Sequence, residues 1–184
     1  MWIPIKNKRM NIVALTDIHG RLSFPEALLE EIRTADLLLL SGDITHFGHR
    51  AEMERMIGFF RNLNPRLLAV SGNCDHPDAE AWLSEAGISL HTTLKETGGI
   101  AFYGLSGSLP CPGRTPHEYE EEVYEALLAG FTPPPQPWIL VSHQPPYGTV
   151  NDAVSPGVHV GSKSIRAFIE RTRPLACFCG HIHE

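Results

Sequence analysis

Apolar residues along the chain follow two alternating periods. "MNIVALT", "DLLLLSGD" and "PRLLAVSGN" are short apolar runs with little polar interruption, the pattern of strands buried on both faces. Between them lie two stretches with helical spacing. Leu28, Leu29 and Ile32 form a stripe in "FPEALLEEIRTA", and Met53, Met56, Ile57 and Phe60 form one in "RAEMERMIGFFRNL". Ser23 and Glu26 have the spacing of a capping box for the first of these helices. "DAEAWLSEAG" reads as a shorter helix ended by Gly87. Alternation of strand and helix predicts right-handed crossovers and a largely parallel sheet.

The second half changes character. "ISLHTTLKETGGIAFYGLSGS" reads as short strands around a Gly98–Gly99 turn, hence an antiparallel portion. "HEYEEEVYEALLAG" is an acidic amphipathic helix, and "TPPPQP" is a connector stiffened by proline. "WILVSH" is a strand, "GSKSIRAFIERTR" a helix and "PLACFCGHIH" a last strand and turn. Ser162 is placed to cap that helix, whose free N–H groups with Lys163 offer an alternative phosphate cradle. The pattern is that of an α/β protein with one domain over residues 1–184, in which residues 1–9 precede a strand starting near Met10.

Composition narrows the chemistry. A formal net charge of −6 gives no general attraction to nucleic acid or an anionic membrane. A negative protein that handles phosphate needs a local positive centre, and bound metal supplies one. No apolar run approaches membrane-spanning length, and Ile12–Leu15 is too short for a signal peptide, so the expectation is a cytoplasmic protein with no membrane partner. The four cysteines are scattered, against a disulfide framework. Cys177 and Cys179 read as same-face neighbours packed on a strand.

The polar residues are informative by position. Apolar strands end in "TDIHG" (Asp17, His19), "SGDITH" (Asp43), "SGNCDH" (Asn73), "VSHQPP" (His143) and "CGHIHE" (His181, His183). Taken singly, each has a bland reading as a turn or a cap. Together they close five strands, and an open α/β sheet puts its ligand crevice outside the carboxyl ends of its strands. Two carboxylates, an amide oxygen and four imidazoles suit first-row divalent ions such as manganese, iron or zinc. Seven donors exceed the need of one ion with an open position and match two ions sharing a bridging carboxylate. No thiolate set is offered for a structural zinc.

In this order, D-x-H, GD, GN, a lone H and GHxH resemble the signature of the calcineurin-like metallophosphoesterases over Met10 to Glu184. "SHQPPYGTVND" and "HVGSKSIRAFIERTRPLACFCGHIHE" are similar to a subgroup of small, stand-alone bacterial and archaeal members. The resemblance implies a four-layer α/β/β/α sandwich with two mixed β-sheets. It also implies one ion on Asp17, His19 and His183, another on Asn73, His143 and His181, and Asp43 bridging both. The implied activity is hydrolysis of a small phosphodiester or phosphomonoester, with a hydroxide between two divalent metals attacking in line. A nuclease of the same fold and a catalytically silent metal-binding scaffold are the alternatives. Two departures stand out. The chain stops at Glu184, where family members run on into strands closing the second sheet, so it reads as shortened or unusually compact. Cys74 occupies the place where the family often has a histidine that assists the leaving group. Cys74, Asp75 and His76 are therefore the catalytic candidates beside the metals, with Asn73 and His46 as substrate-binding candidates. Asp75 reads equally as a turn residue or as a partner orienting a metal ligand, and His76 as an acid or an exposed loop histidine.

Overall fold

The computed structural model describes residues 9–183; residues 1–8 of the expected N-terminal extension lie outside the described residues. The three leading apolar runs form strands β1 (Ile12–Leu15), β2 (Leu37–Ser41) and β3 (Leu67–Val70), joined side by side in that order. Both pairings are parallel, with Leu15 opposite Leu40 and Leu40 opposite Ala69. Among the described residues the pairings in this sheet are all parallel, within the expected α/β fold of several sheets.

Parallel strands joined by crossovers must bury both faces, and β2 is buried at every position. One face meets helices α1 (Glu26–Thr34), α2 (Arg50–Leu63) and α3 (Pro77–Glu85). There Leu38 and Leu40 pack with Ile32, Met53, Met56, Phe60 and Leu83. The other face presents Leu37, Leu39 and Val70 to Phe102, Ile139 and Val141 of a second sheet. That sheet runs β4 (Lys95–Thr97), β5 (Ile100–Leu105), β6 (Trp138–Ser142), β9 (Cys177–Phe178), and only the β4–β5 hairpin is antiparallel. Its far side packs on α4 (Glu121–Ala129) and α5 (Lys163–Thr172) through Tyr103, Leu140, Tyr124 and Phe168. A small hairpin, β7 (Ala153–Ser155) with β8 (Val158–His159), branches from the segment between β6 and α5. Among the described residues, no helix is long and apolar enough to cross a membrane.

Several local expectations shift. Helix α1 is entered through Pro25 with no side-chain cap, so Ser23 and Glu26 form no capping box. Pro25 stands at the N-cap position instead. Helix α4 starts at Glu121, four residues later than His117, because His117 and Tyr119 belong to a loop folded onto the first sheet's rim. Ser162 does cap α5, accepting from the Ile165 N–H at 3.1 Å. The phosphate cradle considered there is already filled: the Glu121 carboxylate accepts from the N–H groups of Lys163 and Ser164 and from the Ser162 hydroxyl. Cys177 lies within β9 and Cys179 just beyond its end, and both are half-buried. Hydrogen bonds from Cys177 and Asn151 bring the Cys179 thiol down to about 7, against its burial.

Phe60 is wholly buried where α2 meets the parallel sheet. Its replacement by alanine is expected to cost about 3–5 kcal/mol of unfolding free energy. Chemical denaturation measures this, and a loss below about 1 kcal/mol would contradict the packing described.

Candidate metal centre

Five strands end at one rim, and backbone hydrogen bonds fasten their loops together. The N–H groups of Asp17, His19 and Gly20 donate in turn to the carbonyls of Gly42, Asp43 and Ile44 at 2.8–3.1 Å, zipping the loop after β1 onto the loop after β2. The Gly180 N–H donates to the His143 carbonyl at 3.1 Å, and the His181 N–H to both Asp17 carboxylate oxygens at 3.1 and 3.2 Å. The local geometry is strained in a way ordinary turns are not. Asp17, His19, Asp43 and His181 all have positive φ, between 48° and 76°. Such conformations are uncommon outside glycine and gather at functional sites. Two of the motif glycines have a steric reason as well. A Cβ on Gly72 would overlap the Asp43 carboxylate, and one on Gly180 would overlap the side chains of Thr16 and Asp17.

The innermost group is the wholly buried His143. Its Nδ1 lies 3.0 Å from the Ser41 carbonyl, which can only accept, so Nδ1 carries the proton. Nε2 then points at Asn73 Oδ1 (2.9 Å) and Asp43 Oδ1 (3.4 Å). With neutral imidazole, three acceptors face one another in a buried place, which is unfavourable unless a cation lies among them. In the metal-free protein a proton takes that part. Burial alone would lower the His143 pKa, but Asp43 outweighs it and raises it to about 9. Burial would raise the Asp43 carboxyl, yet His143 and the Cys74 N–H, at 2.8 Å, hold it well below the usual range.

The outer half is more open. Asp17 Oδ1 lies 3.0 Å from His183 Nε2, and Asp43 Oδ2 lies 3.8 Å from His19 Nε2. Ligand-capable atoms of Asp17, His19 and His183 fall within 4.8 Å of one another, as do those of Asp17, Asp43 and His143. His19 Nδ1 is buried without a hydrogen-bond partner. Burial lowers the pKa of His19 and takes that of His181 to about 4, helped by His143, so both are neutral donors with a lone pair to offer. The His181 ring stands 5.3 Å from that of His143, centroid to centroid. Two carboxylates, one amide oxygen and four imidazoles are donor types that fit divalent cations, and Asp43 is the carboxylate with an oxygen toward each half.

The other sequence candidates take varied places. Cys74 is buried at the rim, and burial and Asp43 push its thiol far up, so it stays protonated. Asp75 has no exposed surface. Its oxygens accept from the N–H groups of Ile44, Thr45 and Gly72 and from the Thr45 hydroxyl, at 2.6–3.2 Å. It therefore brackets the loops after β2 and β3 from a position without exposed surface, as a residue that orients the site. Burial, reinforced by Asp43, raises its pKa to about 6 against those hydrogen bonds. His76 opens helix α3 and stacks on His49 at 3.8 Å, beside Asp78. His46 is exposed, with its ring 5.7 Å from that of His19.

Sequence reasoning passed over the loop from Ser106 to Glu120. Its His117 N–H donates to the Asn73 carbonyl, and the His117 ring contacts Ser71 Oγ at 3.2 Å and Tyr119 Oη at 2.8 Å. Thr115 Oγ1 accepts from Asn73 Nδ2 at 3.1 Å. The available signal was "GRTPHEY", whose Pro116 is poorly placed inside a helix.

Comparison with known proteins gives the family. Residues 10–184 match the family model described as calcineurin-like phosphoesterase. An uncharacterized protein of Methanocaldococcus jannaschii is 40% identical over 182 residues, spanning 96% of this chain and 82% of that protein.

The His143 pKa is raised, so its contribution to the metal-free fold is complete below the unfolded imidazole value of about 6.5. It is lost as pH rises through about 9. With chelator present, the urea midpoint of the wild type minus that of His143→Asn is expected to shrink between pH 6.5 and 9.5. A difference constant across that range would contradict the protonated buried histidine.

Proposed function

This chain belongs to the calcineurin-like phosphoesterase family, whose members act on phosphate esters and typically bind divalent metals, and from that premise we propose a hydrolase of small phosphate esters with a two-metal centre. The observation that carries the reading is the buried meeting of His143 Nε2, Asn73 Oδ1 and Asp43 Oδ1, three acceptors in need of a cation. Asn73, His143 and His181 would hold that inner ion. Asp17, His19 and His183 would hold the outer one, with Asp43 shared. Two bound ions supply Lewis-acid chemistry, activating water and drawing charge from phosphoryl oxygens.

The chain's own residues set the rest. Ser41 fixes the His143 tautomer through its carbonyl, and the Cys74 N–H steadies Asp43. The exposed His46 beside His19 is the side chain placed to meet a substrate at the outer half. Cys74 is buried and held against Asn73, with Asn73 Nδ2 3.6 Å from its sulfur, so it is poorly placed to hand a proton to a departing group. The substrates favoured are accordingly esters whose leaving group departs unaided, such as aryl phosphates. The formal charge of −6 disfavours nucleic acid as the substrate.

Two measurements test this. After chelation and reconstitution with manganese, turnover of an aryl phosphodiester should return in the wild type. In Asp43→Asn it should fall by more than about 100-fold, beyond the usual cost of losing an outer-shell partner. Metal-independent turnover, or Asp43→Asn activity within about tenfold of wild type, would refute a metal role for Asp43. Second, Cys74→His should raise turnover of a poor leaving group by about 100-fold, as general-acid help does, with little change for an aryl ester. An equal change for both leaving groups would refute the assigned effect of Cys74.

A further inference from the structure

Asn73 has to present its oxygen, and not its amino group, to His143 and Asp43. The two ends of a side-chain amide are alike in shape, so orientation must come from hydrogen-bond partners. The structure supplies a chain of them. Glu118 Oε1 accepts from the Thr115 hydroxyl at 2.6 Å and from the Thr115 N–H at 2.7 Å. It accepts from the Cys111 thiol at 3.1 Å as well. These bonds, led by those from Thr115, outweigh the burial that would raise its pKa, so Glu118 is an ionised acceptor. The single proton of the Thr115 hydroxyl is thus committed to Glu118. Its lone pairs can then only accept, and they face Asn73 Nδ2 at 3.1 Å. The second amide proton points toward Cys74 Sγ at 3.6 Å. Turning the amide over would set its oxygen against the Thr115 lone pairs and its NH2 toward the inner cation.

We infer that Thr115, polarised by Glu118, is a positioning residue that locks the Asn73 amide with its oxygen toward the inner metal. Thr115 acts through Asn73, to which its hydroxyl is hydrogen-bonded. The loop carrying it is itself tied to the same strand end, since the Gly107 N–H donates to the Ser71 carbonyl and the His117 N–H to the Asn73 carbonyl, both at 3.1 Å. This inference rests on the two-metal reading above.

The test is manganese titration by calorimetry on chelator-stripped full-length protein. Wild type should take two equivalents. Thr115→Val keeps the shape and removes the hydroxyl; its inner-site Kd should weaken by about 10–100-fold, the usual cost of losing an outer-shell partner. Thr115→Ser, which keeps the hydroxyl, should match wild type. In an Asn73→Asp background the ligand is a carboxylate with two equivalent oxygens and no orientation to lose. There the added Thr115→Val should leave the manganese Kd within about threefold, a change under 0.7 kcal/mol. If wild type binds two ions and Thr115→Val binds both as tightly, the inference fails and the two-metal reading stands. A further loss in the Asn73→Asp background would make Thr115 a structural residue only and overturn the inference too. If wild type takes fewer than two ions, the two-metal reading falls and the inference falls with it.

Discussion

The structure turns on one electrostatic constraint: His143 Nε2, Asn73 Oδ1 and Asp43 Oδ1 are brought together where water cannot separate them. A buried cluster of acceptors is costly without positive charge at its centre. Much of the local architecture follows from keeping those atoms in place. Residues in left-handed conformation aim Asp17, His19, Asp43 and His181 inward, and bare glycine backbone at positions 72 and 180 lets neighbouring loops come close enough. Asp75, wholly buried, spends its oxygens fastening the loop after β2 to the loop after β3. The parallel sheet beneath, with Leu37–Leu40 covered on both faces, is the rigid base that makes such strained loops tolerable.

Charge is graded across the site. The inner half is closed and holds His143, whose raised pKa lets a proton stand in for metal. The outer half is open, and its His19 is held neutral by burial. In the proposed two-metal centre, such a gradient would favour a retained inner cation and an exchangeable, solvent-facing outer one. Cys74 belongs to the inner half by burial and by contact with Asn73. Its thiol serves the amide as an acceptor more readily than it serves a substrate as an acid, which gives the cysteine at this position a physical reason to be there.

Much of this was legible in the sequence, for reasons that differ by level. The leucine run before Gly42 and the Met53–Phe60 stripe announced a covered parallel sheet, since both periods are strong and long. The candidate ligands were legible because each follows a strand, where an open sheet places its crevice. What could not be read depended on contacts between distant segments. The bracket made by Asp75 exists only because two loops 30 residues apart touch. Glu118 falls in the acidic run that reads as the start of the following helix, and only tertiary folding sets it against Thr115 and Thr115 against Asn73. Ser23 and Glu26 show the converse: correct cap spacing, overridden by Pro25. The helix α5 N-terminus shows it again, where Glu121, 41 residues before Ser162, occupies a place that local sequence left open.

The central claim is that the buried acceptors around His143 are arranged for metal. Anomalous X-ray scattering from a manganese-soaked crystal tests it most directly. Two peaks about 3.5–4 Å apart are expected, one within bonding distance of His143 Nε2 and Asn73 Oδ1, with Asp43 reaching both. A map without density beside His143, and with its Nε2 still donating to Asn73 and Asp43, would contradict the claim.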